Sequence, residues 1–262
     1  MRQQCLKALK EALIDRGRIG GAMEGEERHF LPRFLWFWSA PILLAVFYLI
    51  RYLDVQFYLQ WIEGEQGVLE NLTPLFLLPA IFSGILLWRY RNALPARWIM
   101  AWFLLHAAGA FYFAGEEISW GQQYFFWATP DSIAALNDQG ETNLHNMSSW
   151  FDQKPRILLW LWALIGGFFI PLLVARGRLQ RGGPQSWRYW IYPPSSCMVV
   201  GLLSFLVRIP EDVASALGTV PPFPFDIRAS ELQELLLSMF LSFYLVSVYR
   251  RAADLSGYSL KK

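Results

Sequence analysis

The sequence predicts an all-α protein, a polytopic transmembrane helix bundle of about six spans with an outer re-entrant or interfacial loop. Of the 262 residues, 55% are hydrophobic and only 17% are charged, whereas soluble domains are about 45–50% apolar and about 25% charged. The apolar residues also fall into long blocks, and a helix needs about 20 such residues to cross a bilayer. These observations exclude an ordinary soluble globular protein.

Six apolar blocks are long enough to be spanning helices. They cover residues 34–53, 70–88, 98–115, 157–175, 190–209 and 232–249. Pro193 and Pro194 interrupt the start of the fifth block, but a proline in the first turn of a helix removes only an amide that has no partner there. We therefore expect six spans within a membrane domain that covers residues 34–251.

The segments outside this domain are charged and less apolar. Residues 1–33 begin with Cys5, Leu9 and Leu13 at four-residue spacing, a pattern typical of a short amphipathic helix on a membrane surface. A glycine-rich linker follows this helix. Residues 252–262 form a short C-terminal tail. We expect both segments to be cytoplasmic.

The distribution of charge predicts the orientation of the chain. Of the 23 Lys and Arg residues, 18 lie in residues 1–33, in the loops at 89–97 and 176–189, and at the C-terminal end from Arg250 onward. The other five are Arg51, Lys154, Arg156, Arg208 and Arg228. Because cytoplasmic loops carry an excess of Lys and Arg, both termini are predicted to be cytoplasmic, as in a protein of the bacterial inner membrane. On this topology 15 of the 21 acidic residues are on the outer side, an asymmetry that the insertion rule does not require.

Glu116 and Glu117 are unusual because they end a predicted span. Carboxylates are disfavoured at the C-terminal end of a helix dipole, so these two need stabilising partners. Helical spacing places His106 and Glu117 on one stripe of the third span. A histidine near mid-membrane is expected to face the interior of the bundle, and Glu117 should therefore face inward as well.

The sixth span begins with further acidic residues. Glu231 and Glu234 share a helical face with Ser238 and Ser242, and we expect this polar stripe to look into the bundle. Taken singly, Glu70, Glu231 and Glu234 are interpreted as favouring the positive ends of their helices, worth about 0.3–1 kcal/mol each. Arg208 is the natural counter-ion for an inward carboxylate.

The connection at 116–155 is too long to be a simple link between helices, and its length predicts a functional loop. Residues 118–128 carry six large apolar side chains, so we expect this stretch to pack against the helices at the outer membrane boundary. Thr129 and Pro130 are typical of a helix start. The polar residues that follow include Glu141, Asn143 and His145.

Two motifs resemble the signature of a family of uncharacterised multi-spanning bacterial membrane proteins. These are GEEISWGQ at 115–122 and QGETNLHN at 139–146, accompanied by Glu63, Glu70 and Thr73 before and within the second span. The resemblance implies no activity. A weaker likeness is to the CAAX-type intramembrane proteases, whose Glu-Glu pair corresponds to Glu116 and Glu117. Gly121 stands where that motif has arginine, and a single histidine, His145, follows.

Three functions remain open at this stage. The first is a membrane-embedded hydrolase or transferase acting on a lipid-linked or membrane-borne substrate. Glu117 would be a metal ligand or general base, His145 a metal ligand or acid, and Glu116, Glu141 and Asn143 orienting groups, with a divalent metal ion as the candidate cofactor. The second is a non-catalytic membrane subunit whose outer loop docks another membrane protein. The third is a cation or proton pathway through Glu117 and His106. The lipid bilayer is the one partner that the sequence specifies. Nucleic acid is excluded as a partner, because the predicted topology already accounts for the positions of the basic residues.

Overall fold

The computed structural model describes residues 31–64, 67–130, 142 and 149–259, and these form an all-α bundle. Six helices are long and apolar enough to cross a membrane, which confirms the predicted six spans. They are α1 (Phe34–Leu53), α2 (Val68–Ala93), α3 (Arg97–Glu117), α4 (Lys154–Ala175), α5 (Trp187–Ala216) and α6 (Ala229–Gly257). The last helix continues to Ser259. The amphipathic helix predicted within residues 1–33 lies outside the described residues.

Helix α6 is the centre of the bundle. In its apolar stretch 83% of the residues are buried by the rest of the protein, against 22% in α1 and in α4. It packs most extensively against α2 and also contacts α5, while α2 packs on α3 and α5 packs on α4. A helix that is apolar all round and buried inside a bundle can place polar groups only against its neighbours. Polar residues on α6 are therefore held at helix contacts.

Helix α5 is broken near its start. It runs through Trp187–Ile191, leaves helical geometry at Tyr192 and resumes as an α-helix at Met198–Leu206, followed by Ile209–Ala216. The expectation that the helix would accommodate both prolines in its first turn is wrong, because Trp187–Ile191 precedes them. Tyr192 is extended, with φ −66° and ψ 120°, since the ring of Pro193 disfavours the α conformation in the residue before it.

The first connection ties α1 to α6. Asp54 caps a short helical turn by accepting a hydrogen bond from the Phe57 amide at 2.9 Å, and the chain then reaches Glu63. The Glu63 carboxylate accepts a hydrogen bond from the backbone amide of Arg228, just before α6. Arg51, in the last turn of α1, forms an ion pair with Asp226 at 2.6 Å. We call this end of the bundle, where α1, α3 and α5 end and α2, α4 and α6 begin, the acidic end; it corresponds to the predicted outer side.

Candidate metal centre at the acidic end

Three carboxylates from two helices meet at the acidic end. Glu117 is the last residue of α3, and Glu231 and Glu234 lie in the first turns of α6. One oxygen from each side chain lies within 4.8 Å of the other two, and all three residues are half-buried. Residues three apart on a helix share a face, so Glu231 and Glu234 both turn toward α3. We call these three residues the carboxylate group.

The carboxylate group sits among charges from two further helices. Arg156 of α4 donates a hydrogen bond to Glu234 at 2.8 Å, and their side chains are only 25% and 16% exposed. Glu70, in the first turn of α2, also acts electrostatically on Glu117. Carboxylates this close repel one another when they are ionised, and a bound cation or bound protons would relieve that repulsion.

The spacing of the carboxylate group suits a single divalent cation. Hard cations such as Ca²⁺ take carboxylate oxygens at about 2.3–2.6 Å, and Mg²⁺ at about 2.0–2.1 Å. Two oxygens on opposite sides of an ion bound at about 2.4 Å are about 4.8 Å apart. The three oxygens of the carboxylate group all lie within 4.8 Å of one another. The carboxylate group is therefore a candidate site for one divalent cation.

Glu116 is turned away from the carboxylate group. Successive residues on a helix point about 100° apart, so the two neighbouring glutamates have different surroundings. Glu116 is 4% exposed and accepts a hydrogen bond from the indole nitrogen of Trp120 at 2.7 Å. The Trp120 ring lies against Gly115, where an added Cβ would approach it to 2.8 Å. Glu116, near the end of α3, therefore holds the start of the loop through Trp120 and is not one of the three clustered carboxylates.

The long loop returns toward its own start at Thr142. The backbone amide of Thr142 donates a hydrogen bond to Gln122 Oε1 at 2.6 Å, and its hydroxyl lies 3.2 Å from the hydroxyl of Thr129. Glu141, Asn143 and His145 flank or follow Thr142 but lie outside the described residues, as does the helix predicted after Thr129. The expected approach of His145 to Glu117, and its part in binding a metal ion, therefore stay predictions.

The aromatic stretch after α3 is placed differently from the prediction. Ser119 and Gly121 are buried, but Phe125 and Phe126 are 77% and 81% exposed. The expectation that these large side chains pack against the helices is therefore wrong for Phe125 and Phe126. Phe126 is in the left-handed region with φ 57°, and its ring points off the bundle. Exposed aromatic rings at the end of a span are typical of residues placed in the lipid headgroup layer.

The polar groups deeper in the bundle are bonded to neighbouring backbone. His106 Nδ1 lies 2.9 Å from the carbonyl oxygen of Trp102, and its ring packs against Trp162 and Tyr244. On α6, Ser238 donates to the carbonyl of Leu235 and Ser242 donates to the carbonyl of Phe76. Hydroxyl groups that donate to backbone carbonyls within a helical bundle stabilise packing. These residues favour a structural role over a relay.

Sequence reasoning missed two features of the site. It proposed Arg208 as the counter-ion of an inward carboxylate, whereas Arg208 pairs locally with Glu211 and Asp212 and Arg156 takes that role. It also treated Glu231 and Glu234 singly as residues at a helix N-terminus. Their three-residue spacing on the inward polar stripe was the signal that joins them to Glu117.

No protein-family model, curated protein or solved structure matches the chain. The resemblance carried by the two motifs at 115–122 and 139–146 therefore stays a prediction.

Proposed function

We propose that this integral membrane protein is a membrane-embedded hydrolase or transferase that acts on a membrane-borne substrate at its acidic end. The carboxylate group, Glu117 with Glu231 and Glu234, is the proposed centre and binds one divalent cation. The single observation that supports the proposal is the approach of three carboxylate oxygens to within 4.8 Å of one another at the end of a helical bundle. Such a cluster carries a large electrostatic cost unless it binds a cation or protons.

The chemistry follows from the charges around the group. Glu117, Glu231 and Glu234 would hold the cation, which would supply Lewis-acid chemistry toward an acyl or phosphoryl oxygen of the substrate. Arg156 holds Glu234 through its 2.8 Å hydrogen bond, in the manner of outer groups that orient metal ligands. Glu117 is either a ligand or the general base that takes the proton of the attacking hydroxyl or water. Glu141 and Asn143, which flank Thr142 in the sequence, are proposed to orient the substrate, and His145 is proposed as a further metal ligand or as the acid.

The location proposed for this reaction is the outer boundary of the bacterial inner membrane. The excess of Lys and Arg predicted for the opposite side, 18 of the 23 in the sequence, supports this orientation. A substrate anchored in the membrane reaches this boundary without leaving the bilayer. The lipid bilayer and a lipid-linked molecule are therefore the proposed partners.

A docking function is the second candidate, and one observation favours it. Phe125 and Phe126 present two large, exposed aromatic rings beside the end of α3, a surface that another membrane protein could cover. In that case the carboxylate group stabilises the outer loop and the protein has no turnover of its own. A cation or proton pathway has less support, because the hydroxyl groups of Ser238 and Ser242 already donate to backbone carbonyls.

Lipid analysis of membranes that carry the protein tests the proposed activity. Total lipid extracts from cells producing the wild type, Glu117→Gln or Glu116→Gln are compared by mass spectrometry. Glu116→Gln is the matched control, because its amide oxygen can still accept the hydrogen bond from Trp120. The proposal predicts that one lipid or lipid-linked species is depleted, with its product enriched, in the wild type and in Glu116→Gln but not in Glu117→Gln. Identical profiles in all three membranes would contradict an enzymatic role and favour docking.

A further inference from the structure

A cavity of about 460 Å³ opens beside the carboxylate group, between α4, α5 and the start of α6. Arg156 lines this cavity and also donates to Glu234, so the cavity and the carboxylate group share one side chain. Pockets that bind small molecules are commonly about 300–1,000 Å³, with apolar walls and a few polar groups that fix the orientation of the ligand. This cavity has both kinds of wall.

The apolar wall is formed by aromatic and aliphatic side chains at the membrane boundary. Trp160 of α4 and Phe205 of α5 line the cavity and stack with their ring centroids 6.0 Å apart at an interplanar angle of 24°. Ile157, one turn before Trp160, is 48% exposed on the surface of α4. Aromatic and aliphatic side chains of this kind suit the acyl or isoprenoid chain of a lipid.

The polar wall carries two arginines, a buried amide, one hydroxyl group and one carboxylate, the last two from Ser230 and Asp212. Arg156 and Arg208 both line the cavity, and their side chains are 25% and 28% exposed. Gln233 of α6 is only 6% exposed and donates to the carbonyl of Ser204 at 2.9 Å. Arginine is the side chain best suited to phosphate, because its planar guanidinium donates two parallel hydrogen bonds to phosphate oxygens.

We infer that this cavity binds a lipid with a phosphate-bearing headgroup, the phosphate between Arg156 and Arg208 and the chain along Trp160 and Phe205. The idea that this lipid is the substrate rests on the proposed function. The binding of the lipid to the cavity does not. A phosphate placed there lies next to the carboxylate group, and a divalent cation bridging carboxylates and phosphate is a common arrangement in phosphate chemistry.

Carboxylates beside the arginines do not close the cavity to an anion. Arg208 pairs with Glu211 at 3.6 Å and with Asp212 at 3.4 Å, contacts three and four residues apart on one helix. Asp212 is 62% exposed, and a surface pair of this kind contributes little, so Arg208 can exchange Asp212 for a phosphate at small cost. The paired Oε2 of Glu211 is buried, and we expect Arg208 to keep that contact.

Native mass spectrometry of the purified full-length protein tests this inference. The probes are phosphatidic acid, whose headgroup is a bare phosphate, diacylglycerol, which has the same chains without phosphate, and inorganic phosphate. We expect one phosphatidic acid per chain and no comparable diacylglycerol adduct. Arg208→Gln should weaken phosphatidic acid binding about tenfold, as expected for loss of a charge-assisted hydrogen bond. Arg228→Gln is the matched control, because it removes one cation from the same end of the bundle outside the cavity.

Arg156→Lys is the second variant, because Arg156→Gln would remove the hydrogen bond from Arg156 to Glu234 and could unfold the protein. Arg156→Lys keeps the charge but not the planar guanidinium, and it should also bind phosphatidic acid more weakly. Equal affinity of Arg208→Gln and wild type, equal retention of diacylglycerol, or displacement of the lipid by inorganic phosphate would each overturn the inference. A wild type that binds phosphatidic acid but holds no metal ion would count against the proposed function alone. A wild type that holds a metal ion but binds no phosphatidic acid would count against the inferred lipid site alone.

Discussion

Glu63 shows how a single buried carboxyl joins two parts of the chain. Glu63 is 8% exposed, and its Oε1 accepts a hydrogen bond from the backbone amide of Arg228. The side-chain Nε of Arg228 lies 3.8 Å from the same oxygen. Burial raises the pKa of Glu63 above that of an exposed glutamate, because the interior penalises the charged form more than Arg228 favours it. The folded protein therefore binds the proton of Glu63 more tightly than the unfolded chain does.

This raised pKa predicts a pH dependence of stability. The contribution of Glu63 is fully present below the ordinary glutamate pKa of about 4.3 and is lost as the pH rises through its raised value in the folded state. The melting temperature of the wild type minus that of Glu63→Gln should therefore fall as the pH rises from about 4 to about 7. Asp212→Asn controls for the loss of one negative charge at the same end. A difference that is constant with pH, or that grows with it, would contradict this account of Glu63.

At the scale of helices, one close contact sets the packing of α4 on α5. An added Cβ at Gly201 of α5 would lie 2.5 Å from the carbonyl oxygen of Ala163 in α4, and backbone atoms cannot move aside as a flexible side chain can. Overpacking of this kind costs about 1–3 kcal/mol. Gly109 in α3 is the matched position, since a Cβ there would meet nothing within 4 Å.

Two alanine variants test this contact. Gly201→Ala should lower the free energy of unfolding by about 1–3 kcal/mol, whereas Gly109→Ala should leave it unchanged or raise it by up to about 1 kcal/mol, because alanine is the better helix former. Both values are measured by chemical denaturation in the same detergent, followed by circular dichroism. Equal stability of the two variants would show that α4 and α5 do not approach as closely as described.

The helices themselves could be predicted from the sequence because the bilayer imposes the length of each apolar block. All six blocks lie within helices, although the second, fifth and sixth helices are longer than predicted. The main departure is at the fifth, where Pro193 forces Tyr192 out of the helix. The sequence predicts less well which faces of the helices contact one another. The stripe shared with His106 predicts that Glu117 faces inward, but no local pattern specifies that it meets Glu231 and Glu234 of α6, because that contact depends on packing between distant residues.

The choice of counter-ion shows the same limit. Arg208 and Arg156 are both arginines near the acidic end, and the sequence offered no way to rank them by geometry. Local partners decided the outcome, because Glu211 and Asp212 lie three and four residues from Arg208 on the same helical stretch. Arg156, at the start of α4, instead reaches across to Glu234 of α6. Long-range pairing of this kind follows from the fold and not from spacing along the chain.

At the scale of the whole molecule, the charge asymmetry predicts which way the bundle crosses the membrane. Single cysteines are introduced at Val220, which is 82% exposed between α5 and α6, and at Gly183, between α4 and α5, in a chain whose Cys5 and Cys197 are replaced. An impermeant thiol reagent added to intact cells should label Val220→Cys and not Gly183→Cys. The reverse labelling would place the carboxylate group on the cytoplasmic side and contradict the proposed outer site.

Metal analysis tests most directly whether the carboxylate group binds one divalent cation. The purified wild type, Glu117→Gln, Glu234→Gln and the control Glu116→Gln are equilibrated with equal concentrations of Mg²⁺, Ca²⁺, Mn²⁺ and Zn²⁺, freed of unbound metal and analysed by inductively coupled plasma mass spectrometry. We predict about one divalent ion per chain in the wild type and in Glu116→Gln, and its loss from the other two variants, because a neutral amide replaces a charged ligand. A wild type without metal, or a Glu117→Gln variant that keeps a full equivalent, would contradict the claim.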